Sequence, residues 1–314
     1  QNQLDSNSFI NRTRNTSMFF QPVIQQEITD ILRNLRNSAS GIDNFKPQVI
    51  KYIRESIALP LTHIVNLCFT SGKFPTKCKI STVTPAYKKG ARNLMENYRP
   101  ISVLSVFSKV IEQIIQSRLN DYLNRNSILN NKQFGFRSNH STEHAIVEAA
   151  QTINYALDTK KTTLAIFMDL SRAFDTVSYD ILLNTMSLYG IRGVALDLFK
   201  DYLSNRLQIL KYNDSFSDPL PLTYGVPQGS VLGPILFLLY INDIVNVTND
   251  CKMILYADDC NCFFEFPTPV IDGNIVSNEL EKLSSWFRCN KLSFNTAKTK
   301  YMISSNSKTQ LLND

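Results

Sequence analysis

The sequence predicts an α+β fold, and three observations carry that expectation. Apolar residues fall at helical spacing through the N-terminal part of the chain. A continuous apolar run of strand length, TTLAIFM, occupies residues 162–168. Two apolar half-strands flank a pair of acids in MILYADDCNCFFEF, residues 253–266. Helical stretches and strand pairs in one chain read as a mixed α+β fold.

From Pro22 to Leu35 the residues Val23, Ile24, Ile28, Ile31, Leu32 and Leu35 line one helical face. SASGIDNF then breaks the helix, and a second one starts near Pro47. The clearest stripe is Val110, Ile111, Ile114, Ile115, Leu119, Tyr122 and Leu123, which packs one helix against a core. After the 162–168 strand, Ser178 opens a helix through Ile181, Leu182, Met186 and Leu188 that stops at Gly190. LQILKYNDSFSDPLPL reads as two strands around Asn213 and Asp214. GVPQGS interrupts the chain before an apolar helix from Val231 to Ile244. MILYADDCNCFFEF reads as a hairpin with Asp258 and Asp259 at its turn.

At 314 residues the chain has room for about two globular units. A composition of 43% hydrophobic and 19% charged residues excludes global disorder, and no apolar stretch is long enough to cross a bilayer. The six cysteines show no CxxC spacing and no secretory pattern precedes them, so an intracellular location, nuclear or cytoplasmic, is expected rather than secretion. Cys260 and Cys262 share one side of a strand, and a zinc site there is set aside because the chain holds three histidines. His140 and His144 suit capping or polar contacts. The net charge of +6 is concentrated: Lys73, Lys77, Lys79, Lys88, Lys89, Arg92 and Arg99 stand against Glu96 alone between Gly72 and Arg99. That segment is either a polyanion contact or a solvated basic loop.

Chemistry is expected at the acids. Asp169 ends a buried strand, and Asp258 and Asp259 sit on a hairpin tip, where packing offers no reason for carboxylates. A lone DD is an ordinary surface turn; the flanking apolar strands are what make it more. If hairpin and strand share a sheet, Asp169 comes within side-chain reach of Asp258, and cations must offset the repulsion. Mg²⁺, held by one or two carboxylates with water and phosphate oxygens, suits the set, and two ions about 3.5–4 Å apart stabilise both oxygens of an in-line phosphoryl transfer.

Seven segments in order then carry a resemblance. FMDLSRAFDTV (167–177), YGVPQGSVLGPILF (224–237), YADD (256–259) and FNTAKTK (294–300) resemble the palm motifs of reverse transcriptases, closest to the non-LTR, LINE-like, jockey-type retrotransposon branch. SASGIDNFKP (38–47), TPAYKKGARNLMENYRPISVLSVFSKVIE (84–112) and QFGFRSNHSTEHAI (133–146) resemble its fingers blocks. The resemblance implies a right-hand α+β fold with an antiparallel palm sheet packed on helices: an N-terminal extension over 1–20, fingers with the first part of the palm over 21–160, the catalytic palm over 161–305, and a tail at 306–314 before a largely absent thumb. It implies an RNA-directed DNA polymerase that adds deoxynucleotides to a primer 3′-hydroxyl on an RNA template. A catalytically inactive nucleic-acid-binding copy and an intron-maturase-like enzyme are the alternatives.

Residue by residue, the resemblance implies that Asp169, Asp258 and Asp259 hold two Mg²⁺ ions, with Mn²⁺ a possible substitute, and that the Leu170 carbonyl assists. Phe174 matches the bulky gate that excludes a 2′-hydroxyl, and would otherwise be a core aromatic. Asp175 matches a structural acid. Gln228 and Gly229 match residues beside the incoming nucleotide and template. Lys88 and Arg99 match fingers residues that grip the triphosphate, and Lys298 a lysine that protonates or steadies the pyrophosphate. Phe134, Phe136 and Arg137 would stack on template, although part of that cluster suits a core. The implied partners are RNA template, DNA primer or nicked target DNA, and deoxynucleotides, without a membrane; endonuclease and thumb regions are expected in a longer chain.

Overall fold

The computed structural model describes residues 15–213, 215–267, 269–307 and 310–312, so Asp214 and parts of the 1–20 and 306–314 segments lie outside the described residues. In chain order the elements are α1 (Gln25–Arg33), α2 (Pro47–Tyr52), α3 (Arg54–Ser71), β1 (Ile80–Tyr87), β2 (Tyr98–Leu104), α4 (Val106–Arg125), α5 (Thr142–Asp158), β3 (Lys161–Met168), α6 (Tyr179–Leu188), α7 (Val194–Leu203), β4 (Arg206–Tyr212), β5 (Ser215–Phe216), β6 (Leu220–Leu222), α8 (Gly233–Ile241), β7 (Lys252–Tyr256), β8 (Asp259–Pro267), β9 (Val270–Asp272), α9 (Gly273–Cys289), β10 (Lys300–Ser304) and β11 (Gln310–Leu312). The α+β class is as expected. Two compact units interleave along the chain: one joins Thr13–Asn126 to Leu182–Leu236, the other joins Ser127–Ile181 to Phe237–Asp314. The linear division at 160/161 read from sequence cuts across both.

In the first unit β1 pairs antiparallel with β2 and parallel with β4, which in turn pairs with β5 and β6. The expected strand pair around Asn213 is thus three strands, because β4 finds its longest partner far upstream in β1. Asn213 takes a positive φ of 52°, a conformation asparagine tolerates better than most residues. The α4 stripe buries Val110, Ile111, Ile114, Ile115, Leu119 and Leu123 as its spacing predicts, and Ser105 caps the helix by accepting the Phe107 N–H. Asn66 on α3 bonds both backbone groups of Val23 and so fixes the approach to α1.

The basic segment needs a correction in this unit. Lys79 is buried and its ammonium lies 2.7 Å from Asp201, with Lys73 at 3.6 Å from the same carboxylate. A buried lysine must be paired, so Lys79 serves the fold and not a polyanion. Lys77, Lys88, Lys89, Arg92 and Arg99 remain exposed.

In the second unit four strands run in the order β10-β3-β8-β7, all neighbours antiparallel. β3 is central, which explains its continuous apolar run: both faces are covered. Ala165, Ile254 and Phe263 form a core patch on one face, with Ala145, Ala149 and Ile153 of α5 packed against it. Leu283, Trp286 and Phe287 of α9 are buried, as is every α8 residue from Ile235 to Ile241. A helix apolar all round belongs inside a core, and α8 is one. It is shorter than the 231–244 expected, since Ile244 falls in a separate 3₁₀ turn. Among the described residues no helix is long and apolar enough to cross a membrane.

Asp243, just after α8, is buried, and burial pushes its carboxyl up to about 7. The folded state therefore binds this proton more tightly than the unfolded chain does. Its contribution to stability is full below the unfolded value near 4 and is lost as pH rises towards 7. Asp243→Asn carries the neutral form at every pH, so its unfolding free energy should rise relative to the parent between pH 4 and 7 and then level off, measured by urea denaturation across that range.

Candidate active site

The register of the four-stranded sheet builds the site. β3 pairs with β8 from Lys161↔Pro267 to Met168↔Cys260, so Asp169 stands across from Asp259. Tyr256↔Asp259 closes the β7–β8 hairpin, leaving Ala257 and Asp258 as the two-residue turn. This corrects the expected turn: Asp259 is the first residue of β8, and it is Asp259 rather than Asp258 that the register sets opposite Asp169.

A second pairing brings in a cation. β10 pairs antiparallel with β3 through Lys300↔Phe167, and the Asn295 N–H donates to the Asp169 carbonyl at 2.9 Å. A tight turn at Asn295, whose carbonyl accepts from the Lys298 and Thr299 N–H groups, then aims Lys298 back at the strand end. Its ammonium lies 2.6 Å from Asp169 Oδ2. The Ser171 N–H bonds the Ser293 carbonyl on the other side of the Leu170–Phe294 bridge, fixing the backbone around Leu170.

Asp169, Asp259 and Lys298 line one cleft of about 440 Å³ together with Tyr256, Asn261 and Phe167. Partial desolvation, then the charges of Asp258 and Asp169, raise the Asp259 pKa, with Lys298 opposing. Asp169 and Asp259 thus share the cleft with one ammonium while Asp258 adds its charge from the turn, and the excess negative charge suits a dication. Among the described residues no group of three or more His, Cys, Asp or Glu is close enough to hold a metal by itself. Such a set fits Mg²⁺, which takes one or two carboxylates and completes its shell with water and phosphate, rather than zinc in an all-protein cage.

The turn itself is held in an unusual conformation. Ala257 has φ 56°, which costs a residue with a Cβ about 1–2 kcal/mol. The buried Gln133 offsets this: its Oε1 accepts the Ala257 N–H at 2.9 Å and the Gly135 N–H at 2.8 Å, and its Nε2 donates to the Ala257 carbonyl at 3.2 Å. Three such bonds contribute roughly 3 kcal/mol, enough to outweigh the strain.

Phe174 stacks on the buried Phe237 with ring centroids 4.6 Å apart and meets the edge of Phe136 at 6.1 Å. It is half-buried, one part core and one part surface. Of the aromatic and basic cluster before α5, Phe134 packs on the core patch and Arg137 bonds the Asn130 and Gln133 carbonyls, so both are structural; Phe136 is 57% exposed.

Lys88, Arg99, Gln228 and Gly229 belong to the first unit, and Asp169, Leu170, Phe174, Asp258, Asp259 and Lys298 to the second. Arg99 pairs with Ala86 in the β1–β2 register and the Lys88 N–H bonds the Asn97 carbonyl, which puts both cations on one face of the ribbon, exposed. The Gln228 carbonyl accepts the Ser102 N–H at 2.7 Å. Gly229 has φ 111°, and a Cβ there would lie 2.7 Å from the Ser102 carbonyl. Glycine is therefore required by close packing on β2.

Sequence reasoning missed Glu112. It is fully buried on α4 and accepts the N–H groups of Val231 and Leu232 at 2.8 and 3.3 Å and the Ser108 hydroxyl at 2.9 Å. Burial raises its pKa, opposed by the nearby Arg206 charge and these hydrogen bonds. An acid between Ile111 and Ile114 of the apolar stripe was the available signal.

Carboxylates converging from paired strands beside a lysine form a donor set of the kind suited to hydrated dications and phosphate. The chain belongs to the reverse transcriptase (RNA-dependent DNA polymerase) family, which it matches over residues 87–311. It is 31% identical over 298 residues to the probable RNA-directed DNA polymerase from transposon BS of Drosophila melanogaster, an alignment covering 90% of this chain and 32% of that protein. It is 28% identical over 285 residues to the probable RNA-directed DNA polymerase from transposon X-element of the same species, covering 89% and 31%. The RNA-directed DNA polymerase from mobile element jockey, also from Drosophila melanogaster, is 27% identical over 252 residues, covering 77% and 27%. The chain spans about a third of the length of these relatives, and the expected likeness to the non-LTR branch is borne out.

Glu112→Ala should cost roughly 2–4 kcal/mol in urea unfolding, because two backbone N–H groups lose their buried acceptor.

Proposed function

We propose that this chain is the polymerase part of a non-LTR retrotransposon protein, adding deoxynucleotides to a primer 3′-hydroxyl on an RNA template. The observation that carries the reading is the meeting of Asp169, Asp259 and Lys298 in one cleft of a reverse transcriptase family chain. In a right-hand arrangement, residues 21–160 supply fingers and the first part of the palm, and 161–305 the catalytic palm. The partners are RNA template, DNA primer or nicked target, and deoxynucleotides.

Asp169, Asp258 and Asp259, with the Leu170 carbonyl, would hold two Mg²⁺ ions, which activate the primer hydroxyl and neutralise the triphosphate. The chain's own residues position the reactants. Lys298 restrains Asp169 and stands close enough to the cleft to steady the departing pyrophosphate. Lys88 and Arg99, exposed on one ribbon face, would contact the triphosphate. Phe174, backed by Phe237, presents a ring that a 2′-hydroxyl would strike. Gln228 and Gly229, held on β2, shape the surface beside the incoming nucleotide.

Primer extension on an RNA template in Mg²⁺ tests the reading. Asp258→Asn and Asp169→Asn should each lower the rate by at least about a hundredfold while leaving the melting temperature near that of the parent. Unchanged extension in both would remove the metal assignment. Phe174→Ala should raise ribonucleotide incorporation relative to deoxynucleotide by roughly tenfold, scored on paired primer-extension gels.

A further inference from the structure

We propose that Gln133 is the positioning residue of the turn that carries the two aspartates: its buried amide stands in for a missing strand, holding Ala257 so that the adjoining Asp258 and Asp259 keep their places, Asp259 opposite Asp169. The proposal rests on the polymerase reading and adds a residue to its machinery.

β7 is the last strand of its sheet, and the segment 132–134 runs parallel along its outer edge. The Leu255 N–H donates to the Lys132 carbonyl at 2.8 Å, and the Phe134 N–H donates to the Leu255 carbonyl at 2.9 Å. Backbone pairing stops there, two residues short of the turn, and the Gln133 side chain takes over. A primary amide offers a donor and an acceptor in one plane, as a peptide group does, and Gln133 uses both on Ala257. The Gly135 N–H, donating to the same Oε1, fixes which way the amide points.

Gly135 is part of the same device. A Cβ at that position would come within 2.3 Å of the Ala257 nitrogen, so the segment can approach the turn only as glycine. Two-residue turns with positive φ ordinarily use glycine, asparagine or aspartate. Here alanine occupies the position, and the restraint comes from outside the hairpin. Catalytic groups must be held within about 0.5 Å of their working geometry, and Asp258 and Asp259 directly follow the clamped residue.

The test uses the full chain, primer extension, melting temperature and amide hydrogen exchange. Gln133→Met removes all three bonds at similar volume; kcat should fall about tenfold to a hundredfold, with KM for deoxynucleotide within about threefold. Ala257→Gly added to that variant should recover at least about threefold, because glycine holds a positive φ without help. Exchange protection at Ala257 should be lost in Gln133→Met while β3 stays protected. Parental kcat in Gln133→Met, or a loss that follows melting temperature and ignores Ala257→Gly, would overturn the proposal. If the parent chain itself fails to extend a primer, the polymerase reading falls, and exchange at Ala257 alone decides whether the clamp exists.

Discussion

Two carboxylates, Asp169 and Asp259, are brought together here by backbone register, and the energy for it comes from elsewhere in the sheet. β3 and β8 pair along their whole length, burying Leu164, Ala165, Phe263 and Phe264, and that apolar pairing is indifferent to the charges beyond its end. Slipping the pair by one residue would turn the buried side chains of β3 to the opposite face, so the register cannot relax to separate Asp169 from Asp259. Repulsion between the acids is therefore imposed by the core and moderated locally by Lys298.

Two buried polar side chains carry the order of the core to backbone that cannot order itself. Gln133 secures the turn between β7 and β8, and Glu112 secures the start of α8 behind the PQG loop. Gln133 bonds the backbone of Ala257, Glu112 accepts the Val231 and Leu232 N–H groups along with the Ser108 hydroxyl, and each lies more than a hundred residues from the turn or helix start it holds. Rigid loops of this kind are how a packed scaffold positions reacting groups without placing them inside the core.

Much of this was legible in the sequence. TTLAIFM announced a strand buried on both faces, the stripe from Val110 to Leu123 announced α4, and the apolar halves around YADD announced the hairpin. What stayed hidden depends on distant partners. β10 follows the polar NTAKT turn and is exposed along most of its length, so nothing in its pattern signals pairing with β3. β4 joins β1 in parallel across more than a hundred residues. Lys79 reads as one more cation in a basic run until Asp201 is found beside it. The turn was misplaced by one residue because alanine at positive φ is disfavoured locally and is stabilised only by Gln133.

The interleaving of the two units has a consequence for synthesis on the ribosome. β3 is translated before both of its neighbours, β8 and β10, which lie downstream beyond a long excursion of chain into the other unit. Throughout that interval an apolar strand with two open edges must be kept from pairing with itself or with another nascent chain. Translation stalled before residue 259 would leave both edges of that strand without the partners that cover them in the folded chain.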